Sequence, residues 1–463
     1  MKRYVAGVDL GTTGIKAVLF DEAGVPLAQA QREASCAFPR PGWAEQDSAA
    51  WYEIPCELLR EVTEGIDRDE VCAVGLSSQG ISFVPVDEEN MPLSVGVSWL
   101  DTRAETEARW LSEHFGTEEL FHRTGKPVSP VYTLPKLLWL REHDRKLFDA
   151  ADAFLMPMDY FLARAVGKRW TDPTMAGGTM LLDLETGEWA EDLAGRTGIP
   201  VRKLPRVMPV GTNAGLLNEE TRQRTGLRNA IAAVGAQDQK IAAYGARLAP
   251  GTATLSLGTA GALEVLSRER SDTLPAFRYA DGRQMCLEGC VDTFGAAIRW
   301  VRDTVFPDLS YREMDDLAAG AEPGCGGVRF RARLLRPEER AGWTGLSLAA
   351  GRGEMIRAVY EGLACEVRTL LDEAKRAGSE IEELRVFGGA SRSEIVCRIL
   401  AEICGVDVFV VKMGEVAALG AALAAFEAAG GDGSAFGKDL GVTRYMPGDR
   451  KRGDRIYDAY RQG

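Results

Sequence analysis

Histidine is scarce in this chain, which has only His114, His122 and His143 among 463 residues. That scarcity argues against histidine catalysis and histidine-rich metal centres. Cysteine is not abundant either, with nine residues at irregular spacings. Cys286 and Cys290 are the closest pair, but no second pair or nearby histidine in the sequence completes a zinc motif. We therefore expect buried, reduced thiols and a cytoplasmic enzyme.

The chain has fewer basic than acidic residues, and its sequence has no long apolar run. The chain carries 55 Lys and Arg against 68 Asp and Glu, a formal charge of −13. Such a protein repels nucleic acid and anionic membranes, so neither is an expected partner. No apolar run reaches the ~20 residues of a membrane helix. Because Met1-Lys-Arg-Tyr-Val5 leads directly into a strand pattern, we expect no signal peptide. The length predicts two large domains.

The first informative motif is a turn rich in glycine and threonine. Apolar runs at Tyr4–Asp9 and Ile15–Phe20 enclose Gly11-Thr12-Thr13-Gly14. Glycine amides and threonine hydroxyls suit a phosphate group, and Lys16 offers a positive charge nearby. Asp9 ends the first run, where an acid can hold a metal ion. Taken alone, the motif favours an ordinary hairpin with a glycine turn.

A second copy of this motif occurs far downstream. Ser256-Leu-Gly-Thr-Ala-Gly261 repeats Asp9-Leu-Gly-Thr-Thr-Gly14 at four of six positions, again after a strand pattern. A duplicated domain explains the repeat, with each copy offering a turn to a shared phosphate chain. This arrangement predicts an α/β fold of two actin-like (ribonuclease H-like) ATPase domains with ligands in the cleft between them. A Mg·ATP site needs one hard oxygen ligand, which Asp9 provides and Ser256 does not.

Two glycines mark a further candidate site in the second half. A buried strand predicted over Glu383–Phe387 ends in Gly388-Gly389, and Ser391–Glu394 fits a capping box that opens the next helix. A flat polar ligand can lie against backbone amides at such a place. Further on, the Ala-rich stretch Glu415–Ala429 predicts a helix in which Gly420 permits close packing.

The candidate catalytic acid is Asp238. It lies in Val234-Gly-Ala-Gln-Asp-Gln239, between a strand pattern and a helical stretch. A carboxylate in that position can take the proton of an attacking hydroxyl, and the flanking amides of Gln237 and Gln239 suit hydroxyl recognition. A helix N-cap is the alternative role for this aspartate.

A second group of polar residues follows two strand patterns in the first half. Ala73–Leu76 leads to Gln79, and Val95–Trp99 leads to Asp101 and Arg103. An indole face beside Asp, Gln and Arg suits a polyhydroxylated ligand. In the alternative interpretation, Trp99 belongs to the core and Asp101–Arg103 is a solvated turn.

With these pieces in place, the chain resembles the FGGY family of carbohydrate kinases over essentially its full length, and most closely the xylulokinase branch. Both hairpins resemble the family's phosphate motifs. The other segments that resemble it are Pro41–Asp47 with Trp51, Thr133–His143 with Lys136 and Trp139, Asp159-Tyr160, Asp172–Thr179 with Asp183 and Trp189, and Ala341–Glu361. Val131 departs from the residue types usual at the opening position of the family signature that Thr133–His143 resembles.

The resemblance implies ATP-dependent phosphorylation of a primary hydroxyl of a ketopentose or related sugar or polyol, with D-xylulose as the first expectation. Asp238 would be the catalytic base. Asp9 would lie near Mg²⁺ and contact the ion through a bridging water molecule. The expected acceptor-binding residues are Gln79, Gly80, Ile81, Trp99, Asp101, Arg103, Asp238 and Gln239. The expected ATP-binding residues are Gly11, Thr12, Thr13, Lys16, Gly258, Thr259, Gly388, Gly389 and Ser393.

Two departures leave the acceptor open. Typical xylulokinases have Gln-Met-His where this chain has Gln79-Gly80-Ile81, and their Gly-Glu-Arg-x-Pro loop is only loosely similar to Arg336–Arg340. Ribulose, another ketose, a polyol or a sugar acid are the other acceptors. The alternatives of another class are an actin-like ATPase and a sugar-sensing regulator without turnover. We expect domains over 1–245 and 246–463, and the resemblance alone suggests a homodimer.

Overall fold

The computed structural model describes residues 3–335, 341–438 and 441–462. The chain forms two compact units. The first unit is built from Met1–Arg247, Pro275–Cys286 and Glu415–Asp439, and the second from Leu248–Leu274, Leu287–Gly414 and Leu440–Gly463. The segment Arg336–Arg340, in which a family loop is expected, lies outside the described residues. None of the described helices is long and apolar enough to span a bilayer.

A mixed sheet forms the centre of the first unit. Its strands run in the order Asn213–Leu216, Ile231–Ala233, Val71–Ser78, Tyr4–Leu10, Gly14–Phe20 and Pro26–Glu33, and Ala236–Gln237 also pairs with Val71–Ser78. Tyr4–Leu10 is parallel to Val71–Ser78 and antiparallel to Gly14–Phe20. Residues on both faces of Tyr4–Leu10 are buried, as expected for a continuous apolar run in a central strand.

Glycines allow one helix to lie directly on this sheet. A Cβ atom added to Gly7 would lie 2.0 Å from the carbonyl oxygen of Ala418, and one added to Gly75 would lie 1.9 Å from that of Ala421. The predicted close packing at Gly420 is confirmed, because its added Cβ would lie 1.9 Å from the carbonyl oxygen of Ile241. The Ala-rich helix therefore contacts the strands backbone to backbone.

The first unit contains several further elements. Its remaining described strands are Cys36–Ala37, Glu45–Gln46, Val84–Val86, Gly96–Val97, Ala153–Leu155, Trp170–Thr171, Arg206–Val207 and Ala276–Arg278. Its described α-helices are Ala50–Val62, Glu105–Phe115, Thr117–Thr124, Thr133–His143, Arg145–Ala150, Pro157–Val166, Pro173–Gly177, Glu191–Thr197, Glu219–Thr225, Asp238–Gly245 and Val416–Ala428. Arg68–Glu70 and Val201–Lys203 form short 3-10 turns.

The second unit repeats the plan of a hairpin beside parallel strands. Its sheet runs in the order Met285–Val291, Gly261–Ser267, Gly251–Leu257, Ile381–Phe387, Asp407–Val411 and Val442–Tyr445. A smaller hairpin joins Arg329–Arg331 to Gly342–Thr344. Its described helices are Phe294–Trp300, continued by a π-helical turn over Val301–Val305, then Tyr311–Gly320, Arg352–Arg376, Glu394–Cys404 and Arg450–Arg461, with 3-10 turns at Cys325–Gly327 and Gly389–Arg392.

Two local predictions from the sequence are wrong. The strand predicted over Val95–Trp99 is only Gly96–Val97, because its partner strand Glu45–Gln46 offers just two residues to pair with. The capping box predicted from Ser391 does not form. Ser393 caps the following helix instead, accepting a hydrogen bond from the amide of Val396 at 3.3 Å.

Candidate active site

Parallel strand pairing brings the two candidate acids to the same edge of the first unit's sheet. Asp9 lies opposite Ser77, and Ser77 lies opposite Ala236 on its other side. Because the carboxyl ends of parallel strands meet at one edge, Asp9 and the residues after Ala236 lie on that edge together. Asp238, the first residue of the next helix, is two positions beyond Ala236.

Asp9 lies in an environment that opposes its negative charge. The Ser77 hydroxyl donates a hydrogen bond to Asp9 Oδ1 at 2.6 Å. Burial raises the pKa of Asp9 above its ordinary value; the Ser77 hydrogen bond and the charge of Lys16 oppose that shift, whereas the charge of Glu415 adds to it. A partly buried carboxylate of this kind fits a hard divalent cation such as Mg²⁺, because the cation restores the favourable charge interaction that burial removes.

Lys16 is already engaged by a carboxylate of the same unit. It lies opposite Asp9 across the hairpin, and its Nζ lies 3.0 Å and 3.1 Å from the two carboxylate oxygens of Glu415. The ion pair is only partly exposed. The phosphate contact expected of Lys16 stays a prediction, and the structure adds Glu415 as the group that holds its ammonium in place.

A chain of hydrogen bonds joins Thr12, in the turn of the first hairpin, to Trp99 and Gln79, two of the expected acceptor-binding residues. Trp99 Nε1 donates to Thr12 Oγ1 at 2.7 Å. The Thr12 hydroxyl therefore donates its own proton to Gln79 Oε1, at 3.0 Å. The Gln79 amide nitrogen, Nε2, is therefore the end of the side chain that points away from Thr12. It has no hydrogen-bond partner among the described residues, although Gln79 is only 2% exposed.

Gln46 offers a matching acceptor on the other side of Thr12. Its Nε2 donates to the Thr12 carbonyl oxygen at 2.9 Å, which fixes the orientation of the amide. Its Oε1 is buried and has no partner among the described residues. Each of the two glutamines thus bonds to Thr12 through one end of its amide. The other end, a donor in Gln79 and an acceptor in Gln46, has no partner among the described residues, and a ligand hydroxyl is a group that can satisfy either.

Asp238 begins the helix Asp238–Gly245, and the residue is half-buried. Its Oδ1 accepts a hydrogen bond from the Gln239 amide at 2.8 Å and another from the side chain of Gln237. Gln237, rather than Asp238, occupies the N-cap position. The alternative in which Asp238 is simply the N-cap is therefore wrong.

The segment Gly80-Ile81 follows Gln79 at this edge. Ile81 has a positive φ of 56°, a conformation that a β-branched residue adopts only when its surroundings impose it. The Thr133 hydroxyl donates to the Ile81 carbonyl oxygen at 3.3 Å. A Cβ added to Gly80 would lie 3.1 Å from Gln237 Cγ. The segment is therefore packed tightly beside the residue that precedes Asp238.

Trp99, Asp101 and Arg103 differ in what they expose. Trp99 is 40% exposed, whereas Asp101 is completely buried. Arg103 donates to Asp101 and, at 2.8 Å, to Glu45, and its guanidinium lies 3.6 Å from the centre of the Trp43 ring. Neither part of the alternative interpretation holds, because Trp99 is not in the core and the turn is not solvated. Asp101 and Arg103 hold the loop that carries Trp99, and their contact with an acceptor stays a prediction.

Lys136 supports the same loop from below. Its Nζ donates to the carbonyl oxygen of Ser98 at 2.7 Å. Burial lowers the pKa of Lys136 to about 7, with the charge of Asp101 opposing this shift and that of Arg103 adding to it. The loop thus depends on a buried cluster of charges beneath the exposed indole.

In the second unit, a cavity of about 760 Å³ brings several predicted nucleotide residues together. Gly258, Thr259, Gly389 and Ser393 all line it. Arg299, Arg312 and Arg392 contribute positive charge to its wall. A volume of this size is sufficient for a nucleotide.

Gly388 shapes the wall of this cavity rather than lining it. Its φ is 99°, and an added Cβ would lie within 3.1 Å of three backbone atoms of Leu257. Only glycine fits this close approach of two strands. The Ser391 hydroxyl donates to the Gly388 carbonyl oxygen at 2.7 Å and holds the turn.

Four residues of these sites were not predicted. One of them is Asp315, which lines the cavity of the second unit and accepts a hydrogen bond from Tyr360. Ser77, Glu415 and Asp315 carry no local motif, since each contacts a partner distant in sequence. Gln46 lies within the segment Pro41–Asp47 that resembles the family. That resemblance was the available signal, but it assigned no role to the glutamine itself.

Comparison with known proteins points to one family. Residues 4–245 match the N-terminal domain model of the FGGY family of carbohydrate kinases, and residues 253–429 match its C-terminal domain model. The chain is 30% identical to a glycerol kinase of Nocardia farcinica over 93% of its length and 91% of that protein. It is 24% identical to a xylulose kinase of Staphylococcus xylosus over 86% of each chain. A solved gluconate kinase from Lactobacillus acidophilus, 25% identical, superposes with a TM-score of 0.91 over 100% of this chain and 97% of that one.

Proposed function

The chain belongs to the FGGY family of carbohydrate kinases, and we propose that it uses ATP to phosphorylate a primary hydroxyl of a ketopentose, D-xylulose being the first candidate. The protein is a sugar or polyol kinase, a phosphotransferase with an alcohol as acceptor. What we propose beyond this is which acceptor, which nucleotide and which metal ion the enzyme uses.

One observation supports the chemistry most directly. The sheet of the first unit places Asp9 and Asp238 on one edge, joined through Ser77 and Ala236. Phosphoryl transfer to an alcohol requires a carboxylate for the hydroxyl proton and a hard oxygen ligand for the metal ion. Two acids on the same sheet edge, in different hydrogen-bonding surroundings, meet both requirements.

In the proposed mechanism, Asp238 accepts the proton of the attacking hydroxyl. The Gln239 amide bonds to Asp238 Oδ1 and so holds the carboxylate in a fixed orientation. Gln79 Nε2 and Gln46 Oε1 bind acceptor hydroxyls, since both are buried and lack a protein partner among the described residues. Asp9 would hold Mg²⁺ together with water molecules; when bound, the ion supplies positive charge against the phosphate oxygens.

The charges at this edge favour a neutral acceptor over a sugar acid. Lys16 is paired with Glu415, and Arg103 with Asp101 and Glu45. Binding an acceptor carboxylate to either cation would require breaking an existing ion pair. The similarity to a gluconate kinase therefore does not lead us to propose gluconate.

Glycerol is the second candidate acceptor. A glycerol kinase reaches 30% identity to this chain, compared with 24% for the xylulose kinase described above. Against it, a pentulose offers more hydroxyls than glycerol to the amides of Gln46 and Gln79, and more carbon surface to the exposed indole of Trp99. We therefore place D-xylulose first and glycerol second.

The experiment is a coupled assay of ADP release with Mg·ATP and equal concentrations of D-xylulose, D-ribulose, glycerol, other polyols and D-gluconate. The proposal predicts the highest kcat/KM for D-xylulose. A preference for glycerol by tenfold or more would replace the acceptor and leave the kinase assignment intact. Saturable acceptor binding without turnover would instead indicate a regulator, which the presence of both Asp9 and Asp238 argues against.

Two further proposals concern the setting in which the enzyme works. We propose that it acts in the cytoplasm, a reducing compartment in which thiols stay reduced. The expectation that the cysteines are buried holds for six of the nine, whereas Cys36 and Cys72 are partly exposed and Cys290 is exposed. We also propose the homodimer that the family resemblance suggests. The mass of the purified protein in solution tests the second proposal, and a monomeric mass would overturn it.

A further inference from the structure

The cavity of the second unit contains a carboxylate that the proposed function does not use. Asp315 lies on the helix Tyr311–Gly320 and lines the cavity together with Gly389 and Ser393. It is half-buried, whereas its neighbour Asp316 is exposed and does not line the cavity. An acidic group is unexpected in a cavity for a polyanionic nucleotide unless it contacts a part that carries no phosphate.

A buried tyrosine fixes the position of this carboxylate. Tyr360 is 2% exposed, and its hydroxyl donates to Asp315 Oδ1 at 2.9 Å. Burial and the charge of Asp315 raise the pKa of Tyr360, so that the phenol stays protonated and keeps donating. Asp315 is therefore held in one orientation as an acceptor of hydrogen bonds.

An anchored acceptor distinguishes the purine bases by the substituent at position 6. Adenine has an amino group there and donates a hydrogen bond, whereas guanine and hypoxanthine have a carbonyl oxygen that a carboxylate repels. Tyr311 also lines the cavity and, being exposed, offers aromatic surface to a base. We propose that Asp315 selects adenine nucleotides over 6-oxopurine nucleotides in this cavity, an inference that rests on the proposed use of ATP.

Equilibrium binding to the full-length protein tests the inference without turnover. Isothermal titration calorimetry with ADP, IDP and GDP gives three dissociation constants for each protein. The wild type is expected to bind ADP at least ~10-fold more tightly than IDP or GDP, because an oxygen at position 6 donates no hydrogen bond to a carboxylate that faces it and repels that carboxylate. IDP separates the effect of position 6 from that of the guanine 2-amino group.

Two substitutions and a matched control make the test specific. Asp315→Asn supplies an amide that can donate to the 6-oxo oxygen, and Asp315→Ala removes the repulsion, so each is expected to reduce the ADP-to-IDP ratio by ~10-fold or more. Asp316→Asn, on the same helix but outside the cavity, is expected to keep the wild-type ratio. A ratio of affinities is unaffected by a general loss of binding, and the thermal midpoints of the three variants check that each is folded.

The outcomes separate this inference from the function on which it rests. Suppose that wild type binds ADP and phosphorylates a sugar, but Asp315→Asn and Asp315→Ala keep its ratio of ADP to IDP affinities. Asp315 then does not discriminate between the purine bases, and the kinase assignment stands. Equal binding of ADP and IDP to wild type overturns the inference in the same way. If wild type binds none of the three nucleotides, both the inference and the proposed use of ATP are overturned.

Discussion

The Ser77 hydroxyl lies 2.6 Å from Asp9 Oδ1 and donates a hydrogen bond to it from the neighbouring parallel strand. This contact stabilises the ionised form of a carboxylate whose pKa burial raises. Ser77 also pairs with Ala236, so one residue connects the candidate metal ligand to the strand that precedes the candidate base. The protonation of Asp9 and the placement of Asp238 thus depend on the same strand.

Replacing Ser77 with alanine should shift the acid side of the pH–rate profile to higher pH. The Ser77 hydrogen bond lowers the pKa of Asp9, so its loss raises that pKa further and fewer molecules carry the ionised acid at a given acidic pH. The measurement is kcat/KM between pH 5 and 8 at one fixed Mg²⁺ concentration below saturation, because saturating Mg²⁺ competes with the proton for Asp9 and would mask the shift. An unchanged acid limb would show that Asp9 ionisation does not control activity.

Glu415→Gln should move the same limb in the opposite direction. The negative charge of Glu415 raises the pKa of Asp9, and Glu415 also holds Lys16 at 3.0 Å. Removing that charge lowers the pKa of Asp9, so activity should persist to lower pH in the same kcat/KM measurement. Shifts of opposite sign in the two variants exclude a general loss of stability as their common cause.

Asp238→Asn should lower kcat by about 10² to 10⁴, the usual contribution of a positioned base. Asparagine keeps the size of the side chain and can still accept the Gln239 amide bond, so nucleotide binding should be retained. The checks are steady-state kinetics with the preferred acceptor and calorimetric binding of ADP. Asp272→Asn, at an exposed position, is the matched control, and near-normal turnover of Asp238→Asn would remove Asp238 from its assigned role.

The parts of the molecule that the sequence predicted are those determined by local patterns. Both hairpins have the predicted strands, because glycine-rich turns between apolar runs specify a hairpin without reference to the rest of the chain. Close packing at Gly420 was also predictable, since a glycine inside an Ala-rich helix weakens that helix and is expected where another backbone approaches closely.

The rest depends on contacts between distant residues. Lys16 meets Glu415 across 399 positions, and no periodicity in either segment indicates that pair. Asp101 and Arg103 are residue types that are common in ligand pockets, but here Arg103 forms ion pairs with Asp101 and Glu45. Trp99 is exposed because those buried charges hold its loop, a relationship that sequence alone does not reveal.

Lys136 should make the stability of the protein rise with pH in the alkaline range. Burial lowers its pKa from 10.5 to about 7, so between these values the unfolded chain binds a proton that the folded protein does not. The resulting loss of stability is absent above pH 10.5 and grows as the pH falls towards 7, with a slope of up to ~1.4 kcal/mol per pH unit. Lys136→Met should remove that slope. The measurement is the free energy of unfolding in urea at pH 7.5, 8.5 and 9.5, compared between wild type and variant, and parallel pH profiles would contradict the assigned pKa.

Gly420→Ala should destabilise the protein and reduce activity together. The added Cβ would lie 1.9 Å from the carbonyl oxygen of Ile241, which belongs to the helix that begins at Asp238. Relieving this overlap requires the two helices to separate, at a cost of about 1 to 3 kcal/mol, and displaces the helix that carries the candidate base. Gly195→Ala is the matched control, because Gly195 also lies in a helix but has no atom within 4 Å of its added Cβ. That control should be neutral or up to ~1 kcal/mol more stable. Thermal unfolding and kcat of both variants test the argument, and equal stability of the two would mean that the helices tolerate a side chain between them.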